Sequence, residues 1–184
     1  MENNSTKTQV ALGIALAAAH IDTAYRALRN AHFFGRNCGN RFSDIVAGID
    51  DMYDSFFSEF YERENRARGG APEIAYATAE NVVKPQWGVS VFYDECIGRC
   101  HGAAAVRAAL VAAFASNELC DAMTIAKARG FADALSEISR VENDCRDAVA
   151  ELVGAEHVNE IFDAVSEYHM EDPYGGCGND AMGL

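Results

Sequence analysis

Proline occurs only three times in these 184 residues and tryptophan once, and runs of β-branched residues are scarce. Few helix breakers and few sheet formers leave little room for a sandwich, a barrel or an alternating α/β fold. No Gly-x-x-x-x-Gly-Lys, Gly-x-Gly-x-x-Gly or Gly-x-Ser-x-Gly is present. The local signatures of phosphate-cradling, dinucleotide-binding and nucleophile-elbow enzymes are therefore missing. None of the five histidines (His20, His32, His101, His157, His169) follows a glutamate by three residues. A di-iron carboxylate bundle needs that spacing on two helices, which argues against one here. With no catalytic signature left, the sequence reads as that of a non-enzyme without a resident cofactor.

Bases are the next shortage. Between Glu137 and Asp172 only Arg140 and Arg146 stand among eleven acids, a net −9 out of −13 for the whole chain. The first 36 residues show the reverse, with Lys7, Arg26, Arg29 and Arg36 against Glu2 and Asp22. An acidic surface of this kind repels DNA, RNA and anionic membrane, so direct contact with either is not expected. A basic protein is the partner it suits.

What the chain does have is helix-forming pattern. Hydrophobic residues make up 49% and charged residues 23%, ordinary for a globular protein with a packed core. Val10, Ile14, Ala17, Ile21, Ala24 or Tyr25, and Leu28 fall on one helical stripe, predicting a helix over 6–33. Its apolar run Val10–Ala19 has the look of a leader, but Glu2 offsets Lys7 before it. Ten residues are also too few to span a bilayer, and the stripe continues past them.

A second helix is predicted from Ser43 to Arg66, with Ser43 as cap, and a third over Glu73–Val83 between Pro72 and Pro85. Alternating Val89, Val91 and Tyr93 allow a short strand at 89–93, with helix as the competing reading. Ala103–Ala115 should be a buried helix. Ser116 or Asn117 would cap the next, ending near Val141, with Glu142–Val153 and Ala155–Met170 to follow. Gly154 sits where a helix C-terminus favours glycine. The expectation is an all-α, single-domain bundle over 1–184 of about six to seven helices, with irregular ends at 1–5 and 173–184.

Six cysteines lack the regular spacing of a disulfide framework and read as reduced thiols, which suits a cytoplasmic setting. Cys96, Cys100 and His101 pack three metal-ligating side chains into six residues, the sulfurs at i and i+4. Zinc would need a fourth ligand, which the spacing does not supply. A metal- or cofactor-binding protein built on these three residues is thus a minor alternative.

Two surfaces remain as candidates. Glu156, Glu160, Asp163, Glu167 and Glu171 recur at spacings of 4, 3, 4 and 4 and share one helix face, with Glu151 continuing it on the preceding helix. With ~1.5 Å rise per residue, such carboxylates repeat about every 5–6 Å, close to the phosphate interval of a nucleic-acid strand. The ladder could therefore occupy a groove that a DNA- or RNA-binding enzyme built for phosphates, as an inhibitor or decoy. A solvated helix face is the plainer reading of the same residues. The other surface is aromatic: Tyr53, Phe57 and Tyr61 run beside Phe56 and Phe60 on the second helix, flanked by Asp54. That face suits either self-association into a homo-oligomer, the alternative class, or an apolar pocket on the partner.

Overall fold

Alanine sets the spacing between the helices. A computed structural model describes residues 4–31, 35–38, 40–56, 86–128, 132–166 and 168. Six α-helices and no strand occur among the described residues. They are α1 (Asn4–Asn30), α2 (Asn40–Ser55), α3 (Gln86–Val91), α4 (Ala104–Ala128), α5 (Ala132–Val153) and α6 (Val158–Ser166). The all-α expectation holds, while the predicted helix at Glu73–Val83 and the tail at 173–184 lie outside the described residues.

α4 is the centre. Of its 25 residues 14 are buried, and Ala108, Ala109, Ala112, Ala113 and Ala115 are among them. Methyl side chains let neighbouring backbones approach closely, and α1 and α5 pack against α4, with α2 laid across α1 and α5. α4 is long and apolar enough to cross a membrane by length and composition, yet 72% of its most apolar stretch is buried by the rest of the protein. That is the pattern of a core helix, whose apolar faces are covered by α1 and α5.

Within α1, Ala17, Ile21, Ala24 and Leu28 are buried as their stripe predicts. α2 turns Phe42, Ile45, Ile49 and Met52 inward, and Phe56 just beyond it is buried too. The turn before α2 depends on Gly35, since a Cβ there would overlap the Phe42 ring. α6 is a short amphipathic helix that presses Ile161 and Val165 onto the core. The chain breaks before it at Gly154, whose φ of +88° disfavours any other residue and whose N–H bonds Ala150 O at 2.9 Å to close α5. The glycine stop between α5 and α6 is thus where the sequence puts it.

Four boundaries differ from expectation. The stretch 89–93 is not a strand: α3 runs through it into a π-helical turn, Phe92–Ile97, closed by the Gly98 N–H on Tyr93 O at 2.7 Å. The alternation misleads because Val89, Phe92 and Tyr93 also stand at i, i+3 and i+4, and that helical spacing is the one that meets the core. Phe92 is fully buried and stacks on Phe114 at 4.3 Å, while the Tyr93 hydroxyl donates to Ala27 O of α1 at 2.6 Å. Ser116 and Asn117 cap nothing, because α4 passes straight through them to Ala128. Likewise α5 passes through Val141 and Glu142 without a break, and Ser43 is an exposed residue inside α2 rather than its cap.

Candidate functional site

The acids of α5 are engaged within the chain. Arg41, in the first turn of α2, reaches across so that its guanidinium lies 3.9 Å from Asp144, 3.5 Å from Asp147 and 3.6 Å from Glu151. Those carboxylates occupy i, i+3 and i+7 on α5, one face over two turns, so a single fork spans them. Arg140 adds contacts of 3.4 Å to Glu137 and 3.7 Å to Asp144. Glu142 is buried and accepts from Arg146 at 2.8 Å and 3.1 Å and from the Ser116 hydroxyl at 2.8 Å. The run of like charges on α5 is therefore an ionic seam that docks α2, and Glu151 belongs to it.

α6 differs. Glu160 and Asp163 of α6 are exposed, on the side away from Ile161 and Val165, and Glu156 is exposed in the 3-10 turn Ala155–His157 that leads into the helix. Glu160 has His157 Nδ1 at 3.3 Å, and among the described residues neither Glu156 nor Asp163 forms an ion pair. Arg146 lies over the Phe162 ring of α6 at 5.6 Å while its guanidinium bonds Glu142. The free negative potential of this part of the chain thus gathers on Glu156, Glu160 and Asp163. Glu167 and Glu171, which would extend the ladder, lie outside the described residues.

The structure does not bring Asp54 to that patch. α2 and α5 are antiparallel, with Arg41 beside Glu151 and Gly48 facing Arg140 and Val141. Asp54, exposed near the end of α2, stands toward the start of α5, while α6 begins at the other end. Of the aromatic surface, Tyr53 stacks on Tyr25 of α1 at 4.2 Å and donates to Asp22 at 3.2 Å, so it holds two helices together. Phe57 and Tyr61 lie outside the described residues.

Cys96, Cys100 and His101 share no helix face. Cys96 is in the π-helical turn, whereas Cys100 and His101 follow it in irregular chain, the Cys100 N–H bonding Ile97 O at 3.2 Å. Among the described residues no three His, Cys, Asp or Glu side chains converge on a point. None of the five described cysteines is joined in a disulfide.

Two buried polar pairs escape the sequence reading. His20 Nδ1 meets the Glu118 carboxylate at 2.7 Å between α1 and α4, with side chains 5% and 0% exposed. Ser116 and Glu142 make the corresponding contact between α4 and α5. The available signal is a glutamate and a serine within an otherwise apolar stretch of helix, and a histidine on an apolar stripe. Charge there demands a partner on a neighbouring helix.

Comparison with protein families, with curated proteins and with solved structures found no match.

Proposed function

We propose that this is a non-enzymatic binding protein that engages a basic protein partner through exposed acids of α6 and the turn that leads into it, Glu156, Glu160 and Asp163. The observation that carries this reading is the contrast between two neighbouring acidic runs. Arg41, Arg140 and Arg146 lie against the acids of α5, whereas Glu156 and Asp163 have no ion pair among the described residues. Carboxylates left uncompensated on a rigid helix attract a cationic surface and steer its approach. Glu151, at the end of α5, is engaged by Arg41, while Glu167 and Glu171 continue the spacing of these acids in the sequence.

The most specific form of the reading is a decoy that fills the phosphate-binding groove of a DNA- or RNA-handling enzyme. Its support is the sequence spacing of the carboxylates, 4, 3, 4 and 4 from Glu156 to Glu171, which along a helix with ~1.5 Å rise per residue repeats about every 5–6 Å. A cytoplasmic setting fits such a partner.

The test is recovery of bound proteins from host lysate at low and at high salt, identified by mass spectrometry. A basic nucleic-acid-handling protein, released by salt and lost with Glu156→Lys/Glu160→Lys/Asp163→Lys, is the expected result. Undiminished capture by that triple variant rejects the reading. Salt-resistant recovery of the chain itself would favour self-association, for which Phe57 and Tyr61 remain the candidates.

A further inference from the structure

α6 has nine residues, too few for a helix to persist by itself in water, so its docking decides its direction. Two of its side chains are buried, Ile161 and Val165, at i and i+4. They form one row nearly along the helix axis, which resists lifting but not roll about that row. The adjacent row, Val158 and Phe162, packs against the core but is only half-buried. A contact that grips Phe162 from outside the core opposes roll most directly.

Arg146 of α5 makes that contact. Its guanidinium lies over the Phe162 ring, 5.6 Å from the centre, where the ring's negative face attracts a cation. The same group is tied down, since Nε and Nη2 donate to Glu142 Oε1 at 3.1 Å and 2.8 Å. Glu142 is buried, and the Ser116 hydroxyl of α4 donates to that oxygen at 2.8 Å. A chain of contacts thus runs from α4 through Glu142 and Arg146 to α6. Glu160 and Asp163 stand opposite the docked rows. A roll of ~30° carries a carboxylate ~6 Å from the axis through about 3 Å.

We propose that Arg146 is a positioning residue for α6: anchored on Glu142, it clamps the Phe162 ring and fixes the direction in which Glu160 and Asp163 face. The task needs a planar, forked cation that can bond a carboxylate and cover a ring together, which lysine is not. The clamp concerns the chain alone, and its bearing on a basic partner rests on the function proposed above.

The test compares Arg146→Lys, Phe162→Leu, their combination and Phe162→Tyr in the full chain. Residual dipolar couplings report the direction of α6 relative to α4, and amide exchange reports its local opening. Each of the first two variants should turn α6 from its parent direction and speed its exchange about three- to fivefold, as loss of one exposed cation–π contact does. The double variant should stay near the single ones and well under their product, because the two side chains share one contact. Phe162→Tyr keeps the aromatic face and should match the parent. An unchanged direction of α6 in both single variants, or a double variant at the full product, would overturn the proposal. So would equal loosening of α4, which would confine Arg146 to its bond with Glu142. None of these readouts involves a partner, so failure of the basic-partner reading leaves them standing.

Discussion

Arg41 Nη2 lies 3.5 Å from the Asp147 carboxylate, and the same guanidinium also reaches Asp144 and Glu151. The seam between α2 and α5 is thus one cation on three anions, each partly exposed to solvent. Partly exposed pairs are worth up to about 1 kcal/mol each, and salt screens them. Arg41→Gln should lower unfolding free energy by about 1 kcal/mol in low salt and by less in high salt. Urea titrations at the two ionic strengths measure it, and a loss independent of salt would argue that Arg41 acts by packing instead.

The pair His20–Glu118 belongs to a different regime, because its side chains are 5% and 0% exposed. Removing one partner strands the other in the core. His20→Ala should therefore cost about 3 kcal/mol, the upper range for a stranded hydrogen-bonding group and the lower range for a stranded charge. The apolar double exchange His20→Phe/Glu118→Met should be far milder, since nothing polar is left behind. Chemical denaturation of the single and double variants separates the two, and equal losses would contradict the assignment.

The cysteines offer a check on burial. Cys145 is fully buried, and desolvation pushes its thiol far up, with Glu142 and Asp144 adding to the rise. Cys120 lies at the surface, and its thiol is also raised, by partial burial first and then by Glu142 and Asp121. Alkylation of the native protein should modify Cys120 slowly, at a rate that climbs with pH, and should reach Cys145 only on unfolding. Both thiols lose protons more readily in the unfolded chain. Folding stability therefore declines as pH rises through and beyond the ordinary thiol range. Mass mapping of the labelled sites at several pH values tests both statements, and prompt labelling of Cys145 would contradict them.

Much of the architecture is legible in the chain because it rests on local pattern. The stripe through Ile21, Ala24 and Leu28 meets the core, and Gly154 ends α5 with the positive φ that its position suggests. The failures come from residues whose partners are distant in sequence. Ser116 resembles a cap because a hydroxyl in an apolar run has few other local uses, yet it bonds Glu142, 26 residues away. Glu118 and His20 are 98 residues apart, and no spacing rule connects them. Val89 to Tyr93 fits two periodicities at once, and the choice falls to the aromatic contact of Phe92 with Phe114. The acidic ladder is legible as a count of charges, but its division is not. Only the placement of Arg41 against α5 separates the seam acids from the exposed acids of α6.

The central claim, that α6 carries a specific cation-binding surface, is tested most directly by two variants of equal charge. One is Glu156→Lys/Glu160→Lys/Asp163→Lys, and the other is Asp51→Lys/Asp94→Lys/Glu95→Lys, three exposed acids on other elements. Binding of each to the partner recovered from lysate is measured by titration calorimetry across a salt series. A specific α6 surface predicts loss of binding, at least a hundredfold, for the first variant and little change beyond general screening for the second. Equal weakening of both would contradict it, leaving the acids of α6 as a solvated helix face.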